Sequence, residues 1–444
     1  MAGIAGIATD NSTEEVSEML GIIRYRGEKD MSIFEKEGTT LGIVWNESEN
    51  ESVREFLDAG EAGYYNSPGN YTRVRPDNGN FVLTRDELGV APLYYGNDNK
   101  GNICFASEIK ALLPVTKEIN EMPPGHILER NELQSVFSIK HEIELVKTAE
   151  QFATDLYKML DSAVSGCIRT EDTGSWLSGG LDSSAICALA TRYLSKLTTF
   201  TAGVEGAPDL IYAREMANFL NSEHYEMIVK VDDLIKVLPK VIYHLESFDA
   251  LLVRSSITNY LVARMSSDYV SEVFSGEGGD ELFAGYEYLK SIPAEKLGDE
   301  LLGITESLHN TALQRVDRSA SAHGITAHVV FTHPEIVEFA FTIPVEYKIC
   351  GGAEKWILRK ALEGLLPDNI LKRPKAKFWE GAGIKELISD YAERIITDYD
   401  FRKEHYVNDE LIINSKEELL YYRIFRDYFG SEINLSWMGR TKSD

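Results

Sequence analysis

The stretch Ser175–Ala190, "SWLSGGLDSSAICALA", constrains the fold of this chain more than any other. A short apolar run meets two glycines, an aspartate and three hydroxyls, and a helical pattern follows at once. That order sets a helix start, with its unpaired amides, directly after a strand. Glycine lets the backbone come close to a ligand, and the helix dipole favours an anion there. A glycine-rich turn with a serine cap would have the same composition. No lysine follows as in G-x-x-x-x-G-K-[ST], so γ-phosphate transfer is not the chemistry expected. The surroundings repeat the theme: "GSWLS" reads as a strand, "SSAICALATRYL" as a helix, "LTTFTAG" as a strand and "YAREMANFLN" as a helix. "HYEMIVK" and the helical "DDLIKVLPKVIYHL" continue it. Such alternation specifies a parallel sheet with helices on both faces.

A second stretch, "VFSGEGGDELFAGY" from Val273 to Tyr286, has the same design. A β piece leads through glycines to acidic residues at a helix start. Asp280 and Glu281 could simply complement the helix dipole, at about 0.3–1 kcal/mol. With the first loop beside it, Asp280 can instead join Asp182 in holding one Mg²⁺ across phosphates, since a hard cation prefers carboxylate and phosphate oxygens. A polyanion such as ATP also needs local positive charge, because the whole chain carries a net charge of −26. One segment supplies it: Lys355, Arg359, Lys360, Lys372, Arg373, Lys375 and Lys377 face only Glu363 and Asp368. The overall acidity argues against non-specific binding of nucleic acid.

A chain of 444 residues calls for two or three domains. From Gly3 to His141 short strands alternate with Gly, Asn and Asp turns: "GIAGIA", "TTLGIVW", "GNFVLTRD", "APLYYG", "NICFAS" and "GHILER". This half reads as layered β structure, and helical spacing begins at Ala149. No Pro/Gly linker marks the junction, which is placed near residues 142–150, giving domains 1–145 and 146–444. The polar run Asn46–Ser52, "NESENES", reads as a loop. No apolar run is long enough to span a bilayer and the start lacks a signal-peptide pattern, so a cytoplasmic, soluble protein is expected. Cys104, Cys167, Cys187 and Cys350 stand far apart, which suggests neither disulfides nor zinc. His323, His328 and His333 recur every five residues, a spacing that does not gather ligands on one helix face.

The two loops resemble the synthetase domain of glutamine-dependent asparagine synthetases. So do "GVEGAPDL", "VIYHLESFDALLVRSSITNYL" and "EKWILRKALEGLLPDNILKRPKAKFWEGAG". The likeness runs from about residue 150 to 385, with "ELLYYRIFRDYF" adding weaker support. It implies an ATP-pyrophosphatase fold of the adenine nucleotide α-hydrolase type, and an enzyme that joins a carboxylate to AMP with loss of pyrophosphate. It implies a nucleotide site formed by Leu177, Ser178, Gly179, Gly180, Leu181, Asp182, Ser183, Ser184, Ala202, Gly203, Ser275 and Gly276. Mg²⁺ would sit on Asp182 and Asp280, Lys375 would steady charge on the acyl-adenylate, and Glu277 would orient or deprotonate the nitrogen nucleophile. Glutamate at 277 favours this branch over the similar β-lactam-forming synthetases, which carry tyrosine. One departure is "TAHVVFTH" where the family tends to read "EARVPFLD": Thr326 and His328 replace an acid and a base, in a buried ion pair or in the acceptor pocket.

"RYRGEKD", "RDELGVAPLYY", "FASEIKALLP" and "PPGHILE" resemble the family's glutaminase domain, an N-terminal nucleophile fold. That fold uses a cysteine after the initiator methionine, and this chain has Ala2. An engineered change would leave the glutamine site intact, but the region from Asp30 to Asn80 is tens of residues short of the family pattern. The half therefore reads as an inactive glutaminase kept for structure. The resulting expectation is asparagine synthesis from ATP, aspartate and ammonia, with a separate ammonia source and a homodimer left open. The alternatives are an amide ligase or cyclase acting on another carboxylate, and a nonenzymatic nucleotide-binding regulator.

Overall fold

The computed structural model describes residues 1–375, 385–407 and 411–441. Two antiparallel sheets build the first half. One has six strands in the spatial order Asp30–Lys36, Thr39–Trp45, Gly3–Ile7, Ile103–Ala106, Tyr94–Asn97 and Ile119–Glu121. The other has five, in the order Glu132–Ser135, His126–Glu129, Asn80–Arg85, Asn70–Asp77 and Ala62–Ser67. Successive side chains of a strand point to opposite faces, so the strand Gly3–Ile7 serves two cores. Ile4 packs with Leu41, Ile43, Tyr64, Val74, Phe81 and Phe105 between the sheets. Ala5 and Ile7 join a second cluster that continues into the other half through Leu160, Ile186 and Phe200.

The run "NESENES" is not a loop throughout. A helix covers Asn50–Ala59, and a single 3₁₀ turn, Glu47–Glu49, precedes it. Glu49 is fully buried, accepting the amides of Asn46 at 3.1 Å and Ala2 at 2.5 Å. Its composition is that of a solvated segment, but one of its acids satisfies two backbone amides, that of Ala2 at the start of the chain among them.

The second half holds a five-stranded parallel sheet in the order Glu223–Ile228, Thr198–Gly203, Thr173–Trp176, Glu272–Ser275 and Thr326–Val329. Strand order reverses between Thr173–Trp176 and Glu272–Ser275. In open α/β sheets this switch point opens a crevice at the carboxyl ends of the two strands, and both glycine-rich loops leave from it. Right-handed crossovers place the helices Leu181–Ala190 and Pro208–Leu220 on one face, and Val231–Leu245 and Ala250–Ser266 on the other. Among the described residues no helix is long and apolar enough to cross a membrane.

The halves are joined by a buried ionic seam. Arg26 pairs with Glu108 at 2.6 Å and makes a two-pronged bond to Asp317, 2.8 and 3.0 Å, on the helix Ala312–Ser321. Arg318 on the same helix reaches Glu246 at 3.0 Å, and Lys110 reaches Glu246 at 3.1 Å. All of these side chains are at most 3% exposed.

Candidate active site

Glycine is what allows the two loops to lie on each other. A Cβ on Gly276 would come within 2.7 Å of the Ser183 amide, and one on Gly279 within 2.7 Å of the Asp182 carboxyl carbon. The short helix Gly279–Phe283 therefore starts against the first turn of Leu181–Ala190, and Asp280 is delivered to Asp182. Gly179 has a different task. Its φ of +68° and its closeness to the backbone of Tyr212 and Ala213 seat the loop on the helix Pro208–Leu220.

A cavity of about 340 Å³ opens above these loops. Leu177, Ser178, Gly180, Leu181, Asp182, Ser183, Ala202, Ser275, Gly276, Glu277, Asp280 and Lys375 line it. Gly179, Ser184 and Gly203 are not among the lining residues. Gly179 turns toward Tyr212, Ser184 is fully buried within its helix, and Gly203 ends its strand. Of the basic segment, Lys355, Arg359, Arg373 and Lys375 reach the wall. Lys360 pairs with Glu150 and Lys372 with Asp368, while Lys377 lies outside the described residues.

Lys355 is the centre of the charge arrangement. It takes a left-handed conformation, φ +53°, before the helix Trp356–Ala361, and is 2% exposed. Its ammonium bonds Asp182 Oδ2 and lies 2.7 Å from Asp280 Oδ1, while Lys375 donates to Asp280 Oδ2 at 2.6 Å. Burial opposes ionisation of Asp280, but Lys355 and Lys375 outweigh it and hold the carboxyl well below its usual range. Burial raises Asp182, and the like charge of Asp280 adds to the effect, against the pull of Lys355. Glu281, also buried, is pushed up to about 7 by burial and by Asp280, and accepts the Tyr286 hydroxyl. Asp182 Oδ1 is buried with no hydrogen-bond partner among the described residues, which leaves a hard oxygen beside a second carboxylate. That donor set fits Mg²⁺. No group of three or more His, Cys, Asp or Glu poised for a metal exists among the described residues, so phosphate and water would have to complete the shell.

Arg373 holds the first glycine-rich loop in place, bonding the Ser178 carbonyl at 3.0 Å and Asp209 at 2.6 Å over the face of Tyr212. Arg315, on the helix Ala312–Ser321, bonds Glu277. That contact fixes the position of the Glu277 side chain at the cavity wall.

The family pattern described as asparagine synthase matches residues 155–303 and 293–420. The chain belongs to the asparagine synthetase family. A glutamine amidotransferase domain pattern also matches residues 52–161. "Asparagine synthetase [glutamine-hydrolyzing] 3" of Arabidopsis thaliana is 33% identical over 79% of this chain and 65% of its own length. "Asparagine synthetase B [glutamine-hydrolyzing]" of Escherichia coli is 32% identical over 79% and 67%. A probable asparagine synthetase of Schizosaccharomyces pombe is 34% identical over 80% and 70%. The matched part thus amounts to about two thirds of the length of these relatives.

The asparagine synthetase motifs pointed to Lys375 but not to Lys355 or Arg315. Lys355 was visible only as one member of a basic run, and Arg315 is paired across 38 positions of sequence, where no local signal could reveal it. Thr326 and His328 do not line the cavity. His328 Nε2 meets Glu272 Oε2 at 2.9 Å, with both side chains at most 2% exposed, so the acid missing from position 326 is supplied by the neighbouring strand. Burial opposes the charge on His328, but the Cys167 sulfur and Glu272 raise it to about 9. In the first half, Met1 and Ala2 are fully buried, and the Ala2 carbonyl accepts Arg26 Nε at 3.2 Å. Cys104, the sole cysteine among residues 1–145, is fully buried, and burial pushes its thiol up to about 12.

Proposed function

We propose that the chain is an ATP-dependent amide ligase that makes asparagine from aspartate and ammonia. A β-carboxylate oxygen of aspartate attacks the α-phosphorus, the bond to the β-phosphate breaks, and pyrophosphate leaves. Ammonia then attacks the acyl carbon, a proton is lost, and AMP departs. The observation that carries this reading is the meeting of Asp182, Asp280, Lys355 and Lys375 at the switch point of the sheet. Asp182 and Asp280 would hold Mg²⁺, which supplies charge neutralisation on the leaving pyrophosphate. Amides of the loop Ser178–Ser183 cradle phosphate oxygens at the helix start. Lys375, 32% exposed at the cavity wall, follows negative charge onto the acyl-adenylate. Glu277, held by Arg315, orients the incoming ammonia.

Ammonia rather than glutamine is the nitrogen source in this reading, because Cys104 is a buried neutral thiol and thiolate is the form that attacks an amide. Pyrophosphate release that requires both ATP and aspartate, with asparagine formed on adding ammonium, tests the proposal. Asp280→Asn should abolish release. Turnover near that of wild type in Asp280→Asn would overturn the site.

A further inference from the structure

Beyond the helix Lys416–Phe429 the chain doubles back, and Arg440 and Thr441 form part of the cavity wall. This strap is firmly seated. Trp437 and Met438 are buried, the Thr441 amide donates to Asp249 Oδ2 at 3.1 Å, and the Arg440 guanidinium pairs with Glu418 and lies 3.9 Å from Asp249. Gly439 is packed so closely on Asn310 that a Cβ would lie 2.7 Å from its amide nitrogen.

Three polar atoms of the strap are nonetheless buried without partners among the described residues, Trp437 Nε1, Arg440 Nη1 and Thr441 Oγ1, and the last two belong to residues of the cavity wall. A guanidinium nitrogen only donates, and a buried donor left unpaired forfeits the hydrogen bond it would make in water. The missing partner is therefore an acceptor, and a carboxylate fits the planar fork best.

Arg440 and Thr441 share one cavity with the glycine-rich loop, and one helix runs along its wall. Asp249, which anchors the strap, caps the helix Ala250–Ser266 by accepting the Leu252 amide at 2.8 Å. The last residue of that helix, Ser266, accepts the indole N–H of Trp176, two residues before Ser178. Leu251, Leu252, Ser255, Asn259 and Val262 line the cavity between the two ends.

We infer that Arg440 is the residue that recognises the acceptor, taking the carboxylate of the amino acid that is not adenylated, with Thr441 Oγ1 beside it. This rests on the proposal that the acceptor is aspartate, whose α-carboxylate needs a cation partner while its β-carboxylate reacts. Glu418 and Asp249, both buried, hold the guanidinium in place from behind.

The test is the kinetics of aspartate-dependent pyrophosphate release in wild type, Arg440→Ala and Arg440→Lys, with thermal midpoints recorded for each. Arg440→Ala leaves two buried carboxylates without their cation, so Arg440→Lys, which keeps the charge and loses the fork, guards against misfolding. Both variants should raise the KM for aspartate, by tenfold or more for Ala and less for Lys, with the KM for ATP within twofold of wild type. β-Alanine, which lacks the α-carboxylate, should be used poorly by wild type and no worse by the variants. An unchanged KM for aspartate in a folded Arg440→Lys and Arg440→Ala pair, or an equal loss toward β-alanine, would overturn the assignment. Wild-type protein that releases no pyrophosphate with aspartate would refute the proposed reaction first, before any substitution is made, and the role of Arg440 with it.

Discussion

Replacing Lys355 by methionine tests the charge arrangement directly. One ammonium serves two carboxylates, at 2.7 Å from Asp280 and in direct bond to Asp182, and the three side chains are at most 10% exposed. Breaking a buried pair by removing one partner costs about 3–5 kcal/mol, because the other charge is left uncompensated. Lys375 still holds Asp280 in the variant, and Asp182 can take a proton, so the lower part of that range is expected. By contrast Lys375→Ala removes a one-third-exposed ammonium with a single partner and should cost about 1 kcal/mol or less. In thermal unfolding followed by circular dichroism, Lys355→Met should melt about 3–4 °C below wild type. Mg²⁺ without nucleotide should restore part of that loss, since a dication can take the place between the carboxylates, and should change wild type much less. The deficit should also shrink as pH falls, because Asp182 is the group whose pKa burial and Asp280 raise, and its protonation removes the unpaired charge. Midpoints equal to wild type, with no greater response to Mg²⁺, would refute the placement of Lys355 between the two acids.

Lys375→Ala should lower amide formation by roughly a hundredfold while the KM for ATP changes little, the size expected for a lost contact to developing charge; an effect confined to ATP affinity would mean that it only positions phosphates. His328→Gln should flatten the alkaline arm of the stability profile. The folded pKa of about 9 exceeds the unfolded value near 6.5, so the Glu272 pair stabilises fully below about pH 6.5 and fades as pH rises through 9. Denaturant midpoints of the variant that keep the wild-type slope between pH 7 and 9 would contradict this. Glutamine should yield no glutamate in wild type, nor in Ala2→Cys, because position 2 is fully buried and its carbonyl is held by Arg26; robust release by Ala2→Cys would show a surviving pocket.

Local pattern carried much of the fold. The six β segments read from residues 3 to 141 are strands, and the alternation after residue 149 is the parallel sheet. The strands Ala62–Ser67 and Asn70–Asp77 are not legible locally because "AGYYNSPGNYTRVRPD" mixes Gly, Pro and Asn with its β-formers, and pairing across the sheet overrides that composition. At the site, the acids at helix starts were legible because a turn announces itself locally. The cations were not, since Lys355 reaches Asp182 across 173 positions and only packing brings them together. Thr326 and His328 fit either an ion pair or the acceptor pocket by sequence, and the 2.9 Å contact of His328 with Glu272 on the adjacent strand decides for the ion pair.

The seam around Arg26 bears on what can be removed from this protein. A gene shortened to the synthetase half would leave Asp317, Arg318 and Glu246 facing water, along with apolar neighbours that now pack on Val16 and Leu112. The same helix carries Arg315, two residues from Asp317 and so on its opposite side, where it bonds Glu277. Whatever its own chemistry, the first half thus serves the second as a splint: drift at residues 26 or 108 would be felt as a loosened grip on Glu277, and selection on the ligase would keep both halves in one polypeptide.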